Sequence, residues 1–183
     1  MLNEKAEESQ DYLYETFRGH YERNGDEVNH YRKWCLSRTF YDMVFSNGTV
    51  DTGLCSMSAT KEGVKKCKDH FTTPQWVGRA VFDNWEDFSG ESGRQFFREV
   101  FEFCLNVVTV TKQENTTLSK YTVNNLNKNE FYLKKGLLER YEEEFDKLYL
   151  KDFGYVPVSK LRQVLNSPVL DWMLEKEKDY LRS

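Results

Sequence analysis

The chain is poor in the residues that break or repeat structure. Three prolines and ten glycines are scattered through 183 residues, which excludes collagen-like and low-complexity architectures. No apolar run approaches the ~20 residues needed to cross a bilayer, so no membrane contact is expected. No repeat appears at periods of about 20 to 50 residues, which removes solenoids. Neither G-x-x-x-x-G-K-[ST] nor G-x-G-x-x-G occurs, which removes the common phosphate loops. The four cysteines, Cys35, Cys55, Cys67 and Cys104, form no CxxC pair. A chain of this length can bury a core without staples, so they are expected as free thiols. The first residues lack a basic stretch followed by an apolar one, so a cytoplasmic location is expected. A secreted form that has lost its leader and carries two disulfides is the alternative. A strong charge of one sign is also missing. Twenty-six Lys and Arg stand against thirty Asp and Glu, net −4.

What the chain does have is aromatic surface: thirteen Phe, eleven Tyr and four Trp, enough to exclude wholesale disorder. Leu13, Phe17 and Tyr21 fall on one stripe of an N-terminal amphipathic helix within residues 1–24, stopped by Asn24-Gly25-Asp26. Asn47-Gly48 sits between two β-rich runs and predicts a type I′ hairpin over about 38–57, with Phe45 opposite Val50 and Tyr41 opposite Leu54. Residues 60–70 read as a short amphipathic helix begun by Thr60. Ser92 and Gln95 make a capping box for a very apolar helix over 93–106, the central helix of the domain. Val107 to Thr111 and Leu118 to Val123 suggest a second hairpin over 107–123. Leu137, Leu138, Tyr141, Phe145, Leu148 and Tyr149 stripe a long helix over 130–153, ended near Gly154 and Pro157. Ser159 begins a short helix, and Ser167-Pro168 starts the last one as N-cap and first residue. The expected fold is therefore α+β and predominantly helical, one domain over 1–183 with hairpins packed on the central and long C-terminal helices.

Candidate chemistry is thin. His30, Cys35, Cys67 and His70 are donor types that zinc prefers, and Cys67-x-x-His70 on a helical turn could share one ion. One tight pair and one loose pair fall short of a zinc signature. Residues 145–165 have the outline of an EF-hand, but Tyr149, Lys151, Phe153 and Lys160 occupy the positions where calcium needs oxygen ligands. Calcium is excluded there. Gly90-Glu91-Ser92-Gly93 lacks a residue of the nucleophile elbow. The carboxylates Glu99 and Glu102, three apart, describe an ordinary solvated helix face. No cofactor is expected.

Two binding surfaces remain. Arg32, Lys33 and Arg38, with Lys61, Lys65, Lys66 and Lys68, could meet nucleic-acid phosphates if the fold gathered them, although the overall acidic balance weighs against it. The N-terminal helix carries Tyr12, Tyr14 and Phe17, and the last helical segment Trp172 and Tyr180, more aromatic surface than one buried stripe uses. The leading expectation is a non-enzymatic protein-protein interaction module docking through such a helical face. RNA or DNA binding through the basic clusters is the first alternative, and a zinc-stabilised or metal-dependent enzyme the second.

Overall fold

The computed structural model describes residues 4–25, 28–128, 130–151 and 153–182. The chain is α+β. It clusters into two compact units, Met1–Thr49 with Thr72–Leu105, and Val50–Phe71 with Asn106–Ser183.

The first unit is helical: α1 (Glu4–Asn24), α2 (His30–Ser46), α3 (Pro74–Asp83), a 3-10 turn over Trp85–Phe88, and α4 (Gly90–Cys104). Five elements deliver aromatic side chains to one core, α3 through Phe82 against Phe17. Phe97 of α4 lies within ring-contact distance of Tyr14, Phe17, Phe40, Trp85 and Phe88. Cys104 ends the same face, and burial pushes its thiol up to about 12, leaving it an inert apolar group. Asp83 at the end of α3 is half-buried. Burial raises its carboxyl, but Arg79 at 2.7 Å and Lys33 at 2.6 Å outweigh that and hold it below the usual range.

The predicted hairpin over 38–57 does not form, because residues 38–46 complete α2. Leu36, Phe40 and Val44 recur every four residues and are buried, while Phe45 is 49% exposed. Asn47 closes the helix, donating its backbone N–H to the Met43 and Val44 carbonyls, and Gly48 follows at φ +91°. An Asn-Gly pair offers left-handed backbone equally to a hairpin turn and to a helix end, and here the helix takes it. Ser92 is likewise not an N-cap, since Ser89 holds that place and α4 already runs through Ser92.

The second unit is built on a five-stranded sheet of β1 (Val50–Ser56), β2 (Lys66–His70), β3 (Asn106–Thr111), β6 (Lys147–Leu150) and β7 (Gly154–Pro157). Their spatial order is β2-β3-β1-β6-β7. β1 and β3 run parallel, and the other neighbours are antiparallel. A separate ribbon joins β4 (Thr122–Asn125) to β5 (Glu130–Leu133). The helices are α5 (Lys112–Leu118), α6 (Glu139–Glu144), α7 (Leu161–Leu165) and α8 (Pro168–Lys176). The α8 start matches the sequence reading: the Ser167 hydroxyl accepts the Leu170 N–H, and Pro168 is the first residue.

Three expectations fail in this unit. Residues 66–70 form a strand, not a helix. The 107–123 hairpin is replaced by β3 and then α5, because Thr111 and Glu114 form a capping box that turns the chain into a helix. The long helix over 130–153 is replaced by β5, the six-residue α6 and β6. Lys147-Leu148-Tyr149-Leu150 alternates exposed and buried, a period-2 pattern that outweighs the looser helical stripe. The 145–165 segment accordingly contains a β6–β7 hairpin before its short helix.

Side chains alternate across the sheet. Leu54, Ser56, Val108, Val110, Leu148, Leu150 and Val156 are buried on one face. Asp69 of β2 belongs to that face and accepts the Tyr141 hydroxyl of α6 at 2.7 Å. Near the C-terminus, Glu177 is buried and accepts the Leu137 N–H, and burial lifts its carboxyl from 4.5 to about 6. The folded state therefore holds this proton more tightly than the unfolded chain does. Its contribution is full below pH 4.5 and is lost as pH rises through about 6. Glu177→Gln keeps an acceptor for Leu137 and removes the buried charge. Urea midpoints from pH 4 to 7 should show the variant gaining stability relative to wild type, of the order of 2 kcal/mol above pH 6. A parallel pH dependence in both proteins would refute this assignment.

Candidate functional site

The face of the sheet opposite the buried one is open over most of its width. The register sets Lys68, Thr109, Cys55, Tyr149 and Tyr155 side by side in one row across all five strands. Lys66 pairs with Thr111 one step along, and Lys147, two residues before Tyr149, shares the same face. Tyr149 is 38% and Tyr155 50% exposed, with ring centroids 5.5 Å apart in an edge-on arrangement. The Lys147 ammonium lies 5.1 Å from the Tyr155 ring centre. Where β2 and β3 reach His70 and Val107 the face is buried, so the open region is the β6–β7 side, the middle of the sheet and the Lys66–Lys68 part of β2.

A bulge in β1 between Asp51 and Cys55 hollows this face. Gly53 turns through φ +73°, donating its N–H to the Asp51 carboxylate at 2.9 Å. The Thr52 hydroxyl takes over the broken ladder, donating to the Val107 carbonyl at 2.7 Å and accepting the Leu54 N–H at 3.1 Å. A Cβ on Gly53 would meet that of Lys151 at 3.2 Å, in a backbone conformation side chains rarely adopt. The resulting hollow, about 320 Å³, is lined by Cys55 and Thr109, with Lys66, Lys151, Tyr149 and Asp51 also around it. Burial raises the Cys55 thiol, so it is a neutral lining group. Among the described strand residues of this face, the one carboxylate is Asp51, 3.8 Å from Lys68.

A second hollow of about 570 Å³ has mixed charge, with Lys65 and Lys112 beside Glu114 and Glu144. Glu114 is committed to structure: it accepts the Ser56 hydroxyl and the Thr111 N–H, each at 2.7 Å. Burial raises its carboxyl, but these bonds outweigh burial and hold it low.

The sequence candidates divide. Lys66 and Lys68 are on the open face, Lys65 lines the second hollow and Lys61 is exposed in the β1–β2 loop. Arg32, Lys33 and Arg38 belong to the other unit and have local work. Arg32 bonds Asn24, Lys33 pairs with Asp83, and Arg38 pairs with Asp42 over the Tyr41 ring. The zinc set is divided too. His30 and Cys35 lie on α2, whereas Cys67 and His70 stand on opposite faces of β2, because a strand and not a helix carries them. Among the described residues no group of three or more His, Cys, Asp or Glu side chains could hold a metal ion. All four cysteines are free thiols.

The aromatic docking face expected on α1 loses two of its three residues. Tyr14 and Phe17 are buried in the helical unit's own core, and the Tyr14 hydroxyl donates to the Phe88 carbonyl at 3.0 Å. Tyr12 is exposed, and Trp172 and Tyr180 are half-buried, Tyr180 against Phe131. The open-face residues missed in sequence are Lys147, Tyr149, Lys151 and Tyr155. Their signal was the alternation leading to Gly154. Charge also divides between the units: the helical one carries nine Lys and Arg against fifteen acidic residues, and the sheet unit seventeen against fifteen. The acidic balance that weighed against a polyanion thus belongs to the helical unit.

Among the described residues no helix is long and apolar enough to cross a membrane. The chain matches no protein-family model, no curated protein and no solved structure.

Proposed function

We propose that the chain is a binding protein whose recognition surface is the open face of the sheet and whose partner is an anionic macromolecule. The supporting observation is the cross-sheet row ending in Tyr149 and Tyr155, with Lys66, Lys68, Lys147 and Lys151 on or beside it. Lysines on edge strands commonly protect a sheet against pairing with another chain. That role covers Lys66 and Lys68 on β2. It does not cover Lys147 on the interior strand β6, nor Lys151 just beyond it at the bulge hollow. Among the described residues of this face four ammonium groups stand beside a single carboxylate, a local positive field that draws in a polyanion and weakens as salt rises.

Retention on immobilised heparin tests this reading. Lys66→Glu with Lys151→Glu should elute at markedly lower salt than wild type. Lys120→Glu with Lys128→Glu, an equal charge change at exposed positions elsewhere in the same unit, should elute close to wild type. Equal losses from both pairs would mean that net charge alone governs retention, and the reading would fall.

A further inference from the structure

We infer that the polyanion is a single-stranded nucleic acid, its phosphates held by Lys66 and Lys151 at the bulge hollow with Lys68 and Lys147 beside it, and its bases stacked on Tyr149 and Tyr155. This rests on the reading above and names its partner. Charge alone would admit an acidic peptide, a sulfated glycan or a duplex, and the tyrosines separate these. Both rings stand in the same row as the lysines, are substantially exposed, and lie edge-on to each other, so they present π-surface in two directions. A base has a face to lay against such a ring, whereas a carboxylate or a sulfate has none. A duplex keeps its bases stacked on one another and offers these rings nothing.

The dimensions agree. From Lys68 to Tyr155 the row crosses four inter-strand steps of about 4.8 Å, roughly 19 Å, the length of a short single-stranded segment. The bulge supplies the depth: Gly53 withdraws the β1 backbone, and Cys55 and Thr109 leave a small, uncharged lining between the lysines. Recognition should tolerate sequence. The cations are lysines, point charges without the planar fork that reads base edges, and Asp51 is already engaged by the Gly53 N–H.

The test is fluorescence anisotropy of the full chain with labelled oligothymidylate and oligouridylate, in the ~4–16 nucleotide range of such sites. The same experiment includes a duplex of equal length, with poly-glutamate and heparin as competitors. With four lysine–phosphate contacts, affinity should fall roughly 50-fold from 50 to 200 mM salt, and only about 7-fold for Lys66→Ala with Lys151→Ala. Tyr149→Ala and Tyr155→Ala should each weaken oligonucleotide binding about 5- to 150-fold. Tyr149→Phe and Tyr155→Phe should bind like wild type, which separates loss of stacking from loss of fold. If the alanine variants bind normally, or if duplex or poly-glutamate binds as well as single strands while heparin retention stays lysine-dependent, this inference is overturned and the polyanion reading survives. If oligonucleotide and heparin both ignore the lysines, both fall.

Discussion

Arg140→Ala is expected to cost the sheet unit about 3–5 kcal/mol, the range for removing one partner of a buried charge pair. The Arg140 side chain is 6% exposed at the start of α6, and one terminal nitrogen serves several acceptors. It donates to the His70 carbonyl at 3.0 Å and the Phe71 carbonyl at 2.9 Å, and lies 3.4 Å from the Asp69 carboxylate. These acceptors are the last residues of β2 and the one that follows it, so the guanidinium fastens α6 to the end of an edge strand. The alanine variant leaves Asp69 buried with only the Tyr141 hydroxyl beside it and strands two carbonyls. Arg140→Met with Asp69→Asn removes both charges and should lose distinctly less. Urea unfolding of the three proteins checks this, and equal midpoints would mean that the ion pair is incidental.

Phe97→Ala should cost the helical unit a comparable 3–5 kcal/mol, since truncating a buried aromatic loses both its transfer energy and the packing around the void. Phe97 has five aromatic partners and no exposure, and its nearest ring is Tyr14 at 5.5 Å. Rings from α1, α2, the 3-10 turn and α4 converge on it, so neighbours cannot collapse into the space without moving a helix. Tryptophan fluorescence suits the measurement, because Trp34, Trp76 and Trp85 lie in this unit and Trp172 alone in the other. A midpoint within experimental error of wild type would show that the aromatic cluster is redundant.

Much of the helical unit is legible in the residues themselves. α1 and α4 announce their buried faces by spacing, whereas Asn47-Gly48 at the end of α2 serves a helix end as readily as a hairpin. The sheet unit is harder to read because its signals are ambiguous one at a time. Its last helix announces its start by Ser167-Pro168, but its strands do not. Lys66-Cys67-Lys68-Asp69-His70 has too little apolar content to reveal a strand, since one face meets water and the other offers Asp69 to Arg140 and Tyr141. Tyr141, Phe145 and Leu148 fit a helical stripe by coincidence of spacing across α6 and β6. Of the candidate surface, Lys66 and Lys68 are visible in sequence as part of a cluster, whereas Lys147 and Lys151 are not. The tyrosine companions of that cluster come from about eighty residues further on and join it only through the pairing of β1 with β3 and β6.

The strand order has a temporal consequence. β3 lies between β2 and β1, yet it is made after both, once the thirty-four residues Thr72–Leu105, which carry α3, the 3-10 turn and α4, have intervened. During synthesis the first two strands emerge with their shared neighbour still missing, and the edges they present to it stay unpaired until residue 111 has left the ribosome. Nascent chains halted just short of that point should engage chaperones more strongly than chains released beyond residue 157, where the last strand has arrived.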